Sequence, residues 1–292
     1  MRTGTKILLK LNKLFKLPVH PFNLNNEGTM TYAQWQFEKG IDTIKFYLAC
    51  ASQKEMFEGK VVLDVGCGAA GKTIYYASMG VDKIYGLEIL EKYREEAQAL
   101  ARQKGYEDKF QFICKDASDT ELPAQLFDTI IINDAVEHVD QPEAVLEECL
   151  RILKPEGKIY INFPPYNHPF GAHLSDAIAI PWVHRLFKEE TMIEAYKTLV
   201  SNLKDGQERI KFRISSRKNG EEYFSYINQM TVKRFRKILE GLKEKGGSEC
   251  IYYHEVPLRP FLGVFAQIPV TKELFVKMVV CVLQKKNDGV NI

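Results

Sequence analysis

The chain has 292 residues, of which 45% are hydrophobic and 27% charged, and this ordinary globular composition excludes a mainly disordered, collagen-like or coiled-coil protein. Lys and Arg number 40 against 38 Asp and Glu, which gives a net charge of +2. Residues 1–17 contain five basic residues and no acid, so +5 lies in this segment and −3 in the remainder. Because phosphate binding needs a concentrated positive face, the slightly acidic body argues against nucleic acid as a partner.

The cysteines indicate the compartment. All 6 lie far apart and form no Cys-x-x-Cys pair, so neither a zinc finger nor a small disulfide framework is indicated. They fit a reducing environment, and we expect a cytoplasmic protein. Apolar runs stay below the ~18–20 residues of a membrane span. Lysines interrupt the apolar part of the first 17 residues, so no signal peptide is expected.

The N-terminal segment 6–17 places apolar residues on one helical face and lysines on the other, which predicts an amphipathic helix ending at Pro18. Residues 1–22 are therefore expected to form a basic leader. Three roles are open for residues 1–17: weak contact with an anionic membrane surface, packing against a second subunit in a homodimer, or a flexible arm. A second helix is predicted over 31–52.

After residue 60 the pattern alternates between apolar strands and helices. This alternation predicts βαβ units and an α/β fold with a doubly wound, mostly parallel sheet. Two later strands, at 250–256 and 274–283, bring the expected total to seven. The earlier strands are predicted at 61–65, 83–87, 110–114, 128–132 and 158–163, and the helices between them at 72–79, 91–104 and 143–153.

The alternation stops at residue 166 and resumes with a helix at 232–245. The intervening segment predicts a helix at 189–203 and a hairpin whose strands are 210–216 and 222–227. We therefore expect a sheet domain, 23–165 plus 231–286, with a cap of residues 166–230 inserted after the fifth strand. Residues 287–292 are expected to be a tail. Inserts at the carboxyl ends of strands often cover active sites.

The first strand ends in Asp64-Val65-Gly66-Cys67-Gly68, which carries the strongest functional signal. Glycines here let the backbone approach a nucleoside, and a helix follows directly. Residues 66–73 also match the P-loop pattern, and Gly66-x-Gly68-x-x-Gly71 matches the dinucleotide pattern. Glu88, at the end of the second strand, is placed to hold ribose hydroxyls and favours the nucleoside interpretation.

With this loop, Glu88, Lys115-Asp116-Ala117, Glu137-His138 and 153–157, the sequence resembles the class I S-adenosylmethionine (SAM)-dependent methyltransferases of small-molecule type, and is similar to the ubiquinone-pathway O-methyltransferases. The resemblance implies a Rossmann-like enzyme that uses SAM. By it, the glycines lie under the amino-acid part of SAM, Glu88 holds the ribose, and the residues after the third strand read adenine. The implied SAM-binding residues are Asp64, Gly66, Gly68, Glu88, Asp116, Ala117 and Asn133.

The helix predicted before the sheet supplies a candidate lid. Tyr32, Trp35 and Gln36 are expected to fold over SAM, with Tyr32 or Gln36 near its carboxylate. The alternative is a helix that Trp35 simply packs on the sheet.

Methyl transfer from a sulfonium is a displacement for which the protein supplies alignment, and a base when the acceptor is a hydroxyl. We predict His138, His173 and Glu137 as catalytic candidates. If 134–138 forms a helical turn, Asp134, Glu137 and His138 share a face and could hold a divalent metal with His173. The spacing resembles the Glu-x-x-Glu-His of ubiquinone-pathway and small-RNA 2′-O-methyltransferases, with Asp134 in place of Glu. The alternative is that His138 only packs or hydrogen-bonds.

These observations predict an enzyme that transfers methyl from SAM to a small, partly apolar acceptor, at a hydroxyl oxygen. A metal-dependent RNA 2′-O-methyltransferase, a P-loop nucleotide-binding protein and a non-catalytic SAM-fold module are the alternatives. A rise in melting temperature with SAM and none with Mg·ATP would separate the methyltransferase interpretations from the P-loop protein, because a ligand of the folded state raises its stability.

Overall fold

The computed structural model describes residues 1–259 and 272–287. These residues divide into two compact units. One, here called the sheet unit, contains Tyr32–Phe163, Val232–Val256 and the described residues after Met278; the other, the helical unit, contains Met1–Thr31, Pro164–Thr231 and the described part of Pro257–Lys277. The predicted leader 1–22 and cap 166–230 fall in one unit, and residues 288–292 of the predicted tail lie outside the described residues.

The elements run in the following order along the chain. The helices are α1 (Thr3–Asn12), α2 (Pro21–Glu27), α3 (Tyr32–Glu38), α4 (Gly40–Ile44), α5 (Gln53–Phe57), α6 (Gly71–Ala77), α7 (Arg94–Lys104), α8 (Pro142–Ile152), α9 (Val183–Leu186), α10 (Glu189–Val200), α11 (Gly206–Arg213) and α12 (Val232–Lys245). The strands are β1 (Val61–Val65), β2 (Lys83–Glu88), β3 (Phe110–Cys114), β4 (Phe127–Asn133), β5 (Leu153–Phe163), β6 (Ile214–Ser216), β7 (Glu222–Phe224), β8 (Ser248–Pro257) and β9 (Val276–Lys285).

Within the described residues, seven strands form one sheet in the order β3-β2-β1-β4-β5-β9-β8. Strands β1 to β5 pair in parallel, and β9 pairs antiparallel with β5. The predicted doubly wound, mostly parallel sheet is therefore confirmed. The strand order reverses between β1 and β4, and open α/β sheets bind ligands at this reversal, at the carboxyl ends of the strands.

The sheet forms because its central strands are apolar on both faces. Ile130, Ile131 and Ile132 follow one another in β4 and are all buried, as expected for a parallel strand with helices on both sides. One connecting helix has clear signals at both ends. Helix α7 begins with Glu95 and Glu96, which favour the positive N-terminal end of the helix dipole, and stops at Gly105 in the left-handed conformation.

The single helix predicted over 31–52 is wrong. The chain instead forms α3 and α4, followed by turns up to Cys50. Lys39 leaves the helical conformation between them, with φ −91° and ψ 1°. Gly40 then lies against the ring of Tyr75 so closely that a Cβ atom would approach the ring to 2.2 Å. This contact fixes the position of the break between α3 and α4. The spacing of apolar residues along the sequence does not predict such a contact.

In the helical unit, α1 begins and ends earlier than the predicted 6–17 segment and packs against α10. Thr5 and Leu8 are fully buried on its inner face. The Thr5 hydroxyl and the Arg2 backbone N–H both donate to the carboxylate of Glu194 on α10. A flexible arm, the third role predicted for residues 1–17, does not describe this packed helix.

The predicted hairpin at 210–227 is shorter than expected, because most of its first strand is helical. Residues 206–213 form α11, and only β6 and β7 pair. Helical spacing places Arg209 and Arg213 four residues apart on one face, where both guanidinium groups reach the carboxylate of Asp176. This buried ion cluster explains a helix where the apolar pattern indicates a strand.

Candidate active site

The loop after β1 has the conformation that its glycines allow. Gly66 and Gly68 have φ of 72° and 57°, a region that side chains disfavour. A Cβ atom on residue 66 would lie 2.6 Å from that of Ala135, and one on residue 68 would lie 3.2 Å from the Tyr32 ring. The two glycines therefore let the loop pack closely on the turn after β4 and on α3 at the sheet reversal, where Gly66 is exposed and open α/β sheets bind nucleosides.

Helix α3 lies on this loop. The Gln36 amide oxygen accepts a hydrogen bond from the N–H of Gly71 (3.2 Å), and its nitrogen donates to the carbonyl of Cys67 (3.3 Å). A Cβ atom on residue 71 would come within 2.0 Å of the Ala33 carbonyl oxygen. The structure thus brings Tyr32 and Gln36 to the glycine loop, while Trp35 is half-buried on the same helix.

The carboxylate of Glu88 links the end of β2 to the glycine loop. One oxygen accepts from the N–H of Gly68 (2.9 Å), and the other accepts from the N–H groups of Ile89 (2.9 Å) and Leu90 (3.1 Å). These bonds fix the orientation of the side chain beside the loop. The group is held where the resemblance requires a ribose ligand, and that role is still a prediction.

Asp64 is buried in β1 and joins the strand to the first turn of α6. Its carboxylate accepts a hydrogen bond from the hydroxyl of Thr73 at 2.6 Å. Burial raises the pKa of Asp64 from 3.8 to about 6, although the Thr73 bond and Lys72 act in the opposite direction. Asp64 therefore holds together β1 and α6, the two elements that flank the glycine loop.

We expect Asp64→Asn to change how stability depends on pH. Because the pKa is higher in the folded state, the contribution of Asp64 is fully present below its unfolded pKa and is lost as pH rises through about 6. The unfolding free energy of wild type relative to Asp64→Asn should fall by up to about 3 kcal/mol over this range. Urea unfolding of both proteins at a series of pH values checks this, and parallel curves would contradict it.

Asp116 follows β3 and is exposed, and Ala117 next to it is half-buried. One carboxylate oxygen accepts from both the N–H (2.8 Å) and the hydroxyl (2.7 Å) of Ser118. These two bonds lower the pKa of Asp116. The side chain is thus charged and oriented at the same edge of the sheet as Glu88.

Asn133 ends β4 with its side chain in a buried polar network. Its oxygen accepts from Tyr47 (2.5 Å) and Asn162 (2.9 Å), and its nitrogen donates to Tyr76 (2.9 Å). The Asn133 amide is therefore occupied by hydrogen bonds within the protein. Its contact with the methionine part of SAM stays a prediction. Sequence reasoning missed Tyr47 and Asn162, since only the fold brings these distant residues together.

The turn after β4 begins one residue later than predicted. Asp134 has a positive φ of 50°, and the turn is closed by the N–H of His138 donating to the carbonyl of Ala135. Asp134 therefore does not share a helical face with Glu137 and His138. Its carboxylate instead pairs with the ammonium of Lys72 at 2.9 Å. In the sequence, Lys72 stands out only as part of the P-loop pattern.

Glu137 is 3% exposed. Burial, and then the charge of Asp134, raise its pKa well above the usual value. Glu137 and His138 belong to the sheet unit, whereas His173 belongs to the helical unit. The predicted catalytic and metal residues thus draw on both units, and their roles are still predictions.

A family model described as "Methyltransferase domain" matches residues 63–161, which include β1 to β5 almost entirely. Among curated proteins, the ubiquinone biosynthesis O-methyltransferase of Coxiella burnetii (strain Dugway 5J108-111) is 30% identical over 139 residues, 48% of this chain and 57% of that protein. The sterol 24-C-methyltransferase of Pneumocystis carinii is 35% identical over 106 residues, 36% of this chain and 28% of that protein. The chain spans little more than half the length of the first of these relatives.

Solved structures share the fold. An S-adenosylmethionine dependent methyltransferase from Mesorhizobium loti superimposes with a TM-score of 0.51 at 14% identity, over 82% of this chain and 96% of the other. The PH0226 protein of Pyrococcus horikoshii superimposes with a TM-score of 0.52 at 18% identity, over 86% and 91%. At such identities the likeness concerns the fold alone.

Sheet order, glycine loop and family match together define a methyltransferase domain of Rossmann-like fold. Over residues 63–161 the chain is similar to the class I SAM-dependent methyltransferases, the class that its sequence motifs predict. The P-loop alternative fails, because Thr73, whose hydroxyl would face Mg²⁺, is fully buried and donates to Asp64.

Proposed function

We propose that this chain transfers a methyl group from SAM to a small, partly apolar acceptor, at a hydroxyl oxygen. The observation that carries the proposal is the glycine loop between Glu88 and α3, at the reversal of strand order. The O-methyltransferase relative supports oxygen as the accepting atom. The C-methyltransferase relative shows that similar domains accompany a different acceptor, so the accepting atom needs a direct test.

The residues fit SAM as a ligand. Gly66 is exposed in the loop, Gly68 is buried against Gln36 and Tyr32, and Glu88 presents an oriented carboxylate for hydroxyl groups. Asp116 and Ala117 would hold the base, and Tyr32 with Gln36 would cover the loop. When bound, SAM supplies a methyl group on a sulfonium, which is already a good leaving group. The protein then contributes alignment, and a base for the acceptor proton.

We propose Glu137, His138 and His173 as candidates for that base. Each is a group that can hold a proton near neutral pH when its surroundings shift its pKa. The buried Glu137 follows β4 at the carboxyl edge of the sheet, near the loop that carries SAM in this proposal. Replacement of each by Gln or Asn should lower kcat with little change in SAM affinity if it acts on the acceptor.

SAM and its demethylated product should raise the melting temperature, and Mg·ATP and NADH should not. Glu88→Ala should weaken SAM binding at least tenfold, because hydrogen bonds to a charged group contribute about 1.5–3 kcal/mol each. Glu91→Ala is the matched control, since Glu91 is an exposed acid on the same end of the sheet that pairs with Arg94. Isothermal titration with SAM measures both variants. Stabilisation by Mg·ATP or NADH alone would overturn the proposal.

The acceptor class is tested by transfer of labelled methyl from SAM to phenols and aliphatic alcohols of increasing apolar size, with an unstructured RNA in parallel. Methylation of the phenols or alcohols supports the proposal. Methylation of the RNA alone would favour the RNA 2′-O-methyltransferase alternative instead.

We also propose that a divalent metal could assist the transfer. The ion pair between Asp134 and Lys72 competes with a metal for that carboxylate, so the predicted set of Asp134, Glu137, His138 and His173 needs that pair to break. If a metal assists the reaction, chelator should abolish turnover and added Mg²⁺ should restore it. Full activity in chelator would end the metal prediction.

Membrane-surface contact is a further proposal for residues 1–17. No helix among the described residues is long and apolar enough to cross a bilayer. The outer side of this segment nevertheless exposes Leu14 (78%) and Ile7 (50%) together with its lysines. Apolar and basic side chains exposed together suit an anionic lipid surface, whereas two copies of this +5 segment would repel each other. The homodimer and the cytoplasmic location are still predictions.

A further inference from the structure

Two cysteines face each other on the neighbouring strands β8 and β9. The Sγ atoms of Cys250 and Cys281 are 3.7 Å apart. Cys250 is exposed on the last strand of the sheet, while Cys281 is fully buried. A reagent in solution can therefore reach one thiol of the pair, and the second thiol lies directly beside the first.

The remaining cysteines have different surroundings. Cys50 is also exposed, but its thiol donates to the carbonyl oxygen of Tyr47 at 3.2 Å. Cys114 is half-exposed, and its sulfur lies 3.4 Å from the carbonyl oxygen of Ile89. Cys67 and Cys149 are buried. Across 1–259 and 272–287, Cys250 and Cys281 thus form the pair in which an exposed thiol contacts a second thiol.

We propose that Cys250 and Cys281 form a reversible oxidation site that closes a disulfide when a small disulfide such as oxidised glutathione reaches Cys250. The Cys250 thiolate attacks one sulfur of the oxidised glutathione, which gives a mixed disulfide and releases one glutathione thiolate. Cys281 then loses its proton and attacks the Cys250 sulfur, and the second glutathione leaves. The protein loses two hydrogens and two electrons, and one glutathione disulfide becomes two thiols.

The distribution of the proton between the two sulfurs favours this order of events. Their mutual contact lowers the pKa of the Cys250 thiol and raises that of Cys281. The exposed sulfur is therefore the one with greater thiolate character, which makes it the site of first attack. The sulfurs must then approach from 3.7 Å to about 2.05 Å. Rotation of the two side chains supplies this movement, because neighbouring strands lie ~4.7–4.9 Å apart and a disulfide spans Cα atoms about 4.4–6.8 Å apart.

The disulfide would join the last strand of the sheet to its neighbour. Cys281 pairs with Ile161 of β5, and the next pair along is Val280 with Asn162, a member of the Asn133 network. Because a bridge restricts the unfolded chain and ties β8 to β9, the oxidised protein should unfold at a higher temperature than the reduced one.

The test treats the full chain with a glutathione redox series, traps free thiols and identifies the linked peptides by mass spectrometry. Wild type should lose two hydrogens and yield a peptide pair joined through Cys250 and Cys281, which dithiothreitol separates. Cys281→Ser should instead accumulate glutathione on Cys250, because the second attack is removed. Cys250→Ser should form neither the disulfide with Cys281 nor a glutathione adduct at position 250. Cys50→Ser is the matched control and should behave as wild type.

Two results would overturn the inference. If wild type retains glutathione on Cys250 as Cys281→Ser does, the second thiol does not resolve the mixed disulfide. If glutathione modifies Cys50 and leaves Cys250 unmodified, then exposure and contact with Cys281 do not make Cys250 the preferred site of oxidation. Far-ultraviolet circular dichroism of each variant verifies the fold, so that loss of the reaction is separable from unfolding. The inference is independent of the acceptor and of SAM binding.

Discussion

Asp176→Ala should lower the free energy of unfolding of the helical unit by about 3–5 kcal/mol, the range expected when one partner of a buried ion pair is removed. The Asp176 side chain is 0% exposed and pairs with Arg209 (3.2 Å) and Arg213 (3.0 Å), which are 2% and 3% exposed. Its carboxylate also accepts a hydrogen bond from Tyr196 at 2.8 Å. Without it, two guanidinium groups are left in the interior with less compensation.

Asp205→Ala is the control, because Asp205 pairs with the same Arg209 but is 25% exposed. A partly exposed pair on one helix is screened by water, so the loss should stay near 1 kcal/mol. Chemical unfolding followed by near-ultraviolet circular dichroism measures both variants. Equal losses, or a loss below 1 kcal/mol for Asp176→Ala, would show that burial of the cluster does not set its contribution.

The same cluster shows why the N-terminal segment is part of this unit. Arg213 lies over the ring of Phe22 at 5.3 Å and over that of Tyr226 at 5.0 Å. Asn23 accepts from Arg209 at 2.8 Å and donates to the carbonyl of Asp176 at 3.0 Å. Phe22, at the end of the predicted leader, and Asn23, just after it, therefore complete a buried site with residues that lie 186 or more positions away. Composition alone suggests a separate basic leader, because it shows the charge of the segment but not the residues that the segment contacts in the fold.

The sheet could be predicted because its signals are local. Continuous apolar runs, an acid or glycine after each of the first four strands, and helical segments between the strands leave few alternatives for residues 61–163. The positions of the glycine loop, Glu88 and Asp116 follow from that topology, because parallel strands present their carboxyl ends at one edge. The site residues at strand ends could therefore be predicted from the sequence.

The features that could not be predicted from the sequence depend on residues that are far apart along the chain. Helix α11 replaces a predicted strand because Arg209 and Arg213 must share a face toward Asp176. Lys72 pairs with Asp134, 62 positions away, and no periodicity connects them. Tyr47 joins Asn133 and Asn162 through hydrogen bonds that only the packed sheet provides. Such contacts carry no local signal, and they decide how the predicted groups are charged and oriented.

Gly66→Ala should weaken SAM binding at least tenfold, provided that the loop after β1 holds SAM as we propose. The new Cβ would lie 2.6 Å from the Cβ of Ala135, so the loop must separate from the turn after β4. The φ of 72° adds the cost of a left-handed residue, roughly 1–2 kcal/mol. The expected result combines lower stability with lower SAM affinity, measured by urea unfolding and isothermal titration.

Gly59→Ala separates these two effects. Gly59 has a similar φ of 64°, but a Cβ there would meet nothing within 4 Å, and the residue lies before β1, away from the strand's carboxyl end. It should lose a similar 1–2 kcal/mol of stability from the backbone conformation and bind SAM as wild type does. If Gly66→Ala binds SAM normally while losing stability as Gly59→Ala does, the close approach of the two loops has no part in cofactor binding. If both variants lose affinity equally, the effect arises from general destabilisation, and the cradle assigned to Gly66 is wrong.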